Sequence, residues 1–213
     1  MYFINRDDAG EKLGRHLEKY KREKIVVLGI PRGGVVIGAK VAKSLGAPLD
    51  IIIPRKIGAP HNPEIAIGAV TQDGTVIKDE SAVGFLGISD EQIKVLAKQV
   101  LDEISRRVKT YRNGLPGIDL HGKTVIVTDD GIATGFTMRA ALQSVRNMQP
   151  KKLVLAVPVA PADTLNVLRG QVDELTCLFV PEVFHAVGQF YNEFNQTSDD
   201  EVIKLLEENR NSF

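Results

Sequence analysis

Cysteine, long apolar runs and excess charge of either sign are scarce or missing in this sequence. Cys177 is the only cysteine among 213 residues, so no internal disulfide can form, and the CxxC patterns of zinc and redox sites are absent. Lysine and arginine together number 27, as do aspartate and glutamate. This balance gives no electrostatic reason to expect nucleic acid or an anionic membrane as a partner.

Segments that would direct the chain to a membrane are also missing. No window approaches the ~18 consecutive apolar residues of a membrane-spanning helix. The start, MYFINRDDAG, lacks the basic and apolar regions of a signal peptide. Hydrophobic residues make up 43% of the chain, which is enough for one core. We therefore expect a globular, cytoplasmic protein in which residues 1–213 form a single domain.

What is present is an alternation of strand-like and helix-like segments. Most of the strand-like runs are apolar throughout, which is typical of a parallel sheet covered on both faces. The predicted fold class is therefore α/β, with a doubly wound, mostly parallel sheet flanked by helices. The predicted strands are 25–30, 49–54, 123–130, 151–160 and 174–181, with two short β runs within 65–78 around the turn TQDGT; the predicted helices are 7–22, 33–46, 89–111, 137–148, 162–169 and 198–208.

Three of these strands are followed by unusual polar loops, and ligands of such sheets bind at the carboxyl ends of the strands. The third loop, DDGIATGFT, places Asp129 and Asp130 directly after a buried strand. Small residues then lead into a helix, whose N-terminal N–H groups and dipole favour an anion. Carboxylates accept hydrogen bonds from vicinal hydroxyls. A ribose 5-phosphate satisfies both halves of this stretch, with its hydroxyls on the acids and its phosphate in the loop, which consists of Ala133, Thr134, Gly135, Phe136 and Thr137.

This stretch, an apolar strand followed by two acids and then ATGFT, resembles the signature with which type I phosphoribosyltransferases bind phosphoribosyl pyrophosphate (PRPP). It is neither a Walker loop nor a GxGxxG loop. Two other interpretations remain: a βα turn with two solvated aspartates, and the Mg²⁺-binding acidic pair of phosphoacceptor receivers. Phe136 departs from the small residue or lysine usual in the family, and a ring pointing into the loop would obstruct the phosphate. Ala133 stands where hypoxanthine-guanine enzymes carry aspartate, which favours the adenine or uracil branches.

The resemblance extends to the other two loops. In PRGG, residues 31–34, it implies that Arg32, Gly33 and Gly34 bind pyrophosphate in a loop that often contains a cis peptide. In PRKIGAPHNPE, residues 54–64, Arg55 and Lys56 resemble a basic pair that contacts pyrophosphate. The rest of this segment resembles the mobile loop that closes over PRPP. His61 and Glu64, with Lys56, Asp129 and Asp130, are the candidate catalytic residues. Ordinary surface loops remain the alternative for both segments.

The family also has a hood over the base and insertions on its core. Five aromatic residues fall within residues 179–196, and we expect Phe184 and Phe190 to lie near the base, although core packing is the common role of such rings. Residues 79–113 are predicted to be a helical insertion that either packs on the sheet or forms a dimer contact. Its long helix has Ser89 as the N-cap, with Gln92 three residues later.

The resemblance implies an enzyme that transfers ribose 5-phosphate from PRPP to a nucleobase-like acceptor and releases pyrophosphate. It further implies Mg²⁺ as the cofactor, carried by PRPP with no direct protein ligand, Asp129 and Asp130 lying near it, and a homodimer. Two alternatives stay open. One is a non-catalytic PRPP-binding regulator, which would bind without turnover. The other is a phosphoesterase or phosphate-binding module, which would not prefer ribose 5-phosphate to other sugar phosphates.

Overall fold

A five-stranded parallel sheet forms the centre of the protein in the computed structural model, which describes residues 2–213. Its strand order is β2-β1-β6-β7-β8, and every neighbouring pair is parallel. The order reverses direction between β1 and β6, the position at which such sheets bind ligands. The strands are β1 (Ile25–Gly29), β2 (Leu49–Ile51), β6 (Thr124–Thr128), β7 (Lys152–Val159) and β8 (Glu174–Phe179).

Helices cover both faces of this sheet, as the apolar character of its strands predicts. Alternate side chains of β1, β6 and β7 enter two separate apolar clusters, because successive residues of a strand point to opposite faces. Helices α1 (Arg6–His16), α2 (Gly33–Leu45) and α7 (Asp199–Arg210) pack on one face. Helices α5 (Phe136–Asn147) and α6 (Ala162–Arg169) pack on the other. The predicted doubly wound α/β class is confirmed.

A second, antiparallel sheet of three strands lies beside the first. It consists of β3 (Arg55–Ala59), β4 (Asn62–Val70) and β5 (Val76–Lys78), in the order β3-β4-β5. Two expectations require correction here. The predicted strand 49–54 ends at Ile51, and the segment 54–64, expected to be a loop, is largely a β-hairpin.

The hairpin forms because its glycine and prolines occupy positions that a bulged strand pair tolerates. The register between β3 and β4 shifts on either side of Gly58. A Cβ atom on Gly58 would lie 2.5 Å from the carbonyl oxygen of Pro63, so only glycine fits opposite this proline. The turn at Pro60 and His61 then joins the strands directly.

The chain that follows β5 and precedes β6 begins with two helices, within the range 79–113 that was predicted to be helical. It contains α3 (Glu80–Leu86) and α4 (Asp90–Tyr111), and the Ser89 and Gln92 side chains form the expected capping box. Helix α4 packs on β3 and β4. Its C-terminus is fixed by Arg112, whose Nε and Nη2 atoms donate to the buried Asp50 carboxylate at 2.9 and 3.0 Å. Among residues 2–213, no helix has both the length and the apolar composition needed to cross a bilayer.

Candidate active site

The loops after β1 and β6 touch each other at the carboxyl end of the parallel sheet. A Cβ atom on Gly33 would lie 2.0 Å from Oδ2 of Asp130. One on Gly34 would lie 2.8 Å from the carbonyl oxygen of Thr128 and 2.9 Å from the Cα atom of Asp129. Real Cβ atoms do not approach other atoms this closely, so the acidic pair reaches the glycine loop only because neither glycine has a side chain.

The acidic pair is held in an environment that opposes its charge. The surrounding protein displaces water from both carboxylates and thereby raises the pKa of each. The negative charge of Asp130 raises the pKa of Asp129 further. Within the pair, Oδ1 of Asp129 accepts a hydrogen bond of 2.9 Å from the backbone N–H of Asp130. Perturbed pKa values cluster at functional sites, and a desolvated carboxylate is stabilised by a ligand that donates hydrogen bonds to it.

Arg6, at the start of α1, is a site residue that the sequence analysis missed. Its Nε atom donates to Oδ2 of Asp130 at 2.7 Å, and its Nη1 atom donates to the carbonyl oxygen of Asn195 at 2.7 Å. The guanidinium carbon lies 3.9 Å from the ring centroid of Phe194. Asn5 is the N-cap of α1 and accepts a hydrogen bond from the backbone N–H of Asp8, but no local pattern connects residue 6 with residue 130.

The loop from Ala133 to Thr137 joins β6 to the N-terminus of α5. Gly135 is its N-cap and adopts φ 73°, a left-handed conformation that favours glycine. The Thr164 hydroxyl donates to the carbonyl oxygen of Ala133 at 2.6 Å and thereby ties the loop to α6. Within residues 2–213, the backbone N–H groups of residues 133–137 donate no backbone hydrogen bonds. Such groups at a helix N-terminus suit a phosphate.

Phe136, the residue that departs from the family pattern, is the first residue of α5. Its half-buried ring lies beside Arg139, one turn further along the helix, with 5.8 Å between the ring centroid and the guanidinium carbon. The guanidinium of Arg139 thus gives this ring a partner on the helix itself.

The PRGG loop has the local form that the resemblance implies. The Pro31–Arg32 peptide bond is cis, and Gly33 begins α2. The Nη1 atom of Arg32 lies 3.8 Å from Oδ1 of Asp199 at the start of α7. Asp199 also accepts a hydrogen bond of 2.6 Å from the Tyr111 hydroxyl, so α4, α7 and the PRGG loop meet at this carboxylate.

Arg55 and Lys56 lie on the antiparallel sheet rather than on the parallel one. Nη1 of Arg55 lies 2.9 Å from Oε1 of Glu103 on α4, and Nε of Arg107 lies 3.6 Å from the same oxygen. Lys56 is exposed on the opposite face of β3. Glu103, Arg107, Tyr111 and Asp199 help to line one cavity of about 300 Å³, which connects the partners of Arg55 and Arg32.

His61 and Glu64 lie at the exposed tip of the hairpin. His61 lines a small cavity of about 140 Å³ with Leu86, Gly87 and Gln92, at the junction of α3 and α4. The backbone N–H of Glu64 donates to the Asn62 side chain. No hydrogen bond or ion pair within residues 2–213 connects His61 or Glu64 with the acidic pair, and their catalytic role stays a prediction.

The aromatic segment 179–196 packs largely on itself. Phe190 is only 4% exposed, and its ring packs on Phe179 and Phe184 at centroid separations of 5.7 and 5.3 Å. It is therefore part of the packed interior of this segment, and its position near the base stays a prediction. Phe184 is half-buried, whereas Phe194 is 37% exposed and covers Arg6.

The N-terminal residues complete this segment, a contact that no sequence pattern predicts. The backbone N–H of Phe3 donates to the carbonyl oxygen of Phe190 at 2.8 Å, and the N–H of Asn192 donates to the carbonyl oxygen of Phe3 at 2.9 Å. The Tyr191 hydroxyl donates to the backbone carbonyl oxygen of Asp130 at 2.5 Å. Residues from both ends of the chain therefore cover the acidic pair together.

Comparison with known proteins identifies the family to which this arrangement belongs. The sequence model described as the phosphoribosyl transferase domain matches residues 4–194. The chain belongs to the phosphoribosyl transferase family. Two Mycobacterium tuberculosis proteins provisionally named phosphoribosyl transferases, MT0597 and Rv0571c, are each 42% identical over 99% of this chain. The chain spans about half of their length, namely 48%.

A solved structure of a similar protein shares the complete fold. The crystal structure of TT1426 from Thermus thermophilus is 38% identical in sequence and superposes with a TM-score of 0.84. The match covers 98% of this chain and 99% of that one. A protein named uracil phosphoribosyltransferase, from Sulfolobus acidocaldarius, is 37% identical over a shorter stretch of 79 residues, or 36% of either chain.

Proposed function

We propose that this family member transfers the ribose 5-phosphate of PRPP to a ring nitrogen of a nucleobase-like acceptor and releases pyrophosphate. The observation that carries the proposal is the contact between the PRGG loop and the acidic pair at the sheet's switch point. This contact places the PRGG loop against two carboxylates, which precede the N-terminus of α5 and its free N–H groups on the chain, and together these groups would line the proposed ligand crevice. The three groups match the pyrophosphate, hydroxyl and phosphate parts of one ligand.

In this proposal each part of the crevice has a separate task. Asp129 and Asp130 accept hydrogen bonds from the ribose hydroxyls, and their charge favours a transition state with oxocarbenium character. Residues 133–137 bind the 5-phosphate. Arg32 and the free N–H groups beside it bind the pyrophosphate, which leaves C1 as the acceptor nitrogen attacks. Residues 179–196 act as the hood, with Phe184 and the more deeply buried Phe190 near the base.

The chemistry of the site fits Mg²⁺ delivered by the substrate. Within residues 2–213, no group of three or more His, Cys, Asp or Glu side chains is placed to hold a metal ion. The two carboxylates of the pair lie beside the proposed pyrophosphate loop. Mg²⁺ usually keeps several of its waters, so these carboxylates would accept hydrogen bonds from waters of the Mg²⁺ that PRPP carries, without ligating the ion directly. When bound, Mg²⁺ would neutralise charge on the leaving pyrophosphate. We further propose, from family resemblance, a cytoplasmic homodimer.

Pyrophosphate release from PRPP and Mg²⁺, measured with a panel of purine and pyrimidine bases, tests the proposal, and mass spectrometry identifies the nucleotide formed. We expect the double variant Asp129→Asn, Asp130→Asn to lose turnover while its circular dichroism spectrum stays unchanged. Its matched control is Asp102→Asn, Asp163→Asn, which removes two exposed charges from α4 and α6. Full activity in the first double variant would refute the proposed roles. PRPP binding without turnover for any base would indicate a regulator instead.

A further inference from the structure

Arg6 makes three simultaneous contacts around the acidic pair, and its side chain is only 13% exposed. Its Nε atom binds Oδ2 of Asp130, its Nη1 atom binds the carbonyl oxygen of Asn195, and its guanidinium plane covers Phe194. Phe194 in turn packs on Tyr191 at a centroid distance of 5.1 Å. A planar guanidinium that several contacts already hold loses little further conformational freedom when a substrate binds. The side chain of a mobile surface arginine would lose more.

The hydrogen bonds leave one oxygen of each carboxylate available. Oδ1 of Asp129 accepts from the backbone N–H of Asp130, and Oδ2 of Asp130 accepts from Arg6. Within residues 2–213, the second oxygen of each acid accepts no hydrogen bond from another residue. One free oxygen on each acid can accept from one of two vicinal hydroxyls, so Arg6 can stay in place while a ribose binds.

We propose that Arg6 is a positioning residue of the transfer reaction, which pairs with Asp130, orients this acid for the ribose and links it to the C-terminal hood. The inference rests on the proposed function. Arg6 is the cation hydrogen-bonded to Asp130, and it opposes the desolvation that would otherwise favour the protonated acid. Its bond to the Asn195 carbonyl oxygen makes the same side chain sensitive to the position of the hood.

Other charged or titratable groups around this ion pair do not replace Arg6. Asp129 and the Tyr191 hydroxyl face Asp130, and neither supplies positive charge. Arg6 itself lines a cavity of about 170 Å³ with Asp7, Glu193 and Glu201, which are also acidic. Removal of the guanidinium would therefore leave Asp130 surrounded by negative or neutral groups, and its pKa would rise.

The test compares Arg6→Met and Arg6→Lys with Arg15→Met, a control that removes an exposed cation from the same helix. PRPP affinity is measured by calorimetry, with Mg²⁺ present, between about pH 5 and pH 8. We expect Arg6→Met to bind PRPP at least tenfold more weakly and to lose binding at a higher pH than the wild type as the pH falls. Arg6→Lys should restore the wild-type pH profile with only part of the affinity.

The outcomes separate this inference from the function on which it rests. A wild-type protein that does not bind PRPP would refute both. Wild-type binding together with unchanged affinity in Arg6→Met, or a loss that is equal at every pH, would refute the positioning role alone. In the Asp130→Asn background, Arg6→Met should weaken binding little further, because its partner is already neutral. If Arg6→Met fails to fold, Arg6→Lys serves as the test variant. Wild-type PRPP affinity in Arg6→Lys would show that the two guanidinium hydrogen bonds, to Asp130 and to the Asn195 carbonyl oxygen, do not position the acid.

Discussion

Gly34 is the residue that shows how closely the PRGG loop and the loop after β6 approach each other. The nearest atoms to a Cβ placed there belong to the backbone, namely the Thr128 carbonyl oxygen at 2.8 Å and the Asp129 Cα atom at 2.9 Å. A backbone neighbour cannot rotate out of the way as a flexible side chain can. The space for a methyl group would have to come from separating the PRGG loop from the acidic pair.

Gly34→Ala is therefore expected to destabilise the fold by about 1–3 kcal/mol, the usual cost of overpacking, and to weaken PRPP binding. Urea unfolding and calorimetry measure the two effects. Gly170→Ala is the matched control, because Gly170 has φ −73° and no atom lies within 4 Å of the added methyl group. Wild-type stability in Gly34→Ala would show that the loops are farther apart than described.

The raised pKa of Asp129 leads to a second prediction for a single residue, because ionisation of this carboxyl group lowers the free energy of unfolding. A carboxyl group with a raised pKa binds more protons in the folded state than in the unfolded state. Stability therefore falls as the pH rises from the unfolded pKa, about 3.9, through the higher folded pKa. Asp129→Asn keeps an oxygen that can accept from the Asp130 N–H and removes the titration.

We expect Asp129→Asn to melt at a higher temperature than the wild type near pH 7–8, with a smaller difference near pH 4. Each 1 kcal/mol of relieved cost corresponds to about 2–4 °C in a protein of this size. Differential scanning calorimetry at both pH values measures the change, and turnover should be lost in the same variant. A lower melting temperature at neutral pH would contradict the inferred cost of the ionised acid.

Sequence patterns predict some of these residues and not others, for physical reasons. Asp129, Asp130 and the loop after them lie consecutively on the chain, so a local pattern contains them all. Arg6 reaches Asp130 across 124 positions, and its role follows only from tertiary packing. The burial of the Phe190 ring was not predictable, because an aromatic residue has the same composition signal whether it packs in the core or faces a ligand.

Helix α4 forms an ion pair with Arg55, a residue that is expected to contact the substrate. Glu103 lies between Arg55 and Arg107, so the Arg55 guanidinium already has a carboxylate partner in the ligand-free protein. The hairpin that carries Arg55 has a glycine and proline content that is typical of loops. The bulge at Gly58 opposite Pro63 accommodates these residues in a strand pair, and single-sequence patterns do not reveal such pairings.

If Arg55 contacts pyrophosphate, Glu103 competes with that ligand, and Glu103→Gln should tighten binding. Exposed ion pairs are worth about 0.2–1 kcal/mol, so we expect about a 1.4- to fivefold gain in affinity for PRPP or inorganic pyrophosphate. The gain should shrink at high salt. Glu91→Gln, which removes a charge from the first turn of α4, is the control. Unchanged or weaker binding in Glu103→Gln would show that Arg55 does not contact the pyrophosphate.

At the scale of the whole molecule, the N-terminal residues join the segment before α7 above the sheet. The order of strands and helices along the chain was predictable, because apolar runs and helix caps are local signals. The joining of residues 3–4 to residues 190–193 was not, because a single isolated β-bridge leaves no periodic pattern. This junction positions Tyr191, whose hydroxyl contacts the backbone of Asp130.

Phe3→Ala tests the importance of the junction for the whole protein. Phe3 is fully buried, and its ring packs on Tyr191 at a centroid distance of 5.3 Å. We expect a loss of about 3–5 kcal/mol in the free energy of unfolding, measured in urea, because truncation of a buried phenylalanine leaves a cavity. PRPP affinity should also fall, since Tyr191 and Phe194 would no longer be held against Asp130 and Arg6.

Tyr2→Ala, at a position 67% exposed, is the control and should change neither the free energy of unfolding nor the PRPP affinity. A stable Phe3→Ala variant with wild-type affinity would show that the C-terminal segment keeps its place without the N-terminal residues.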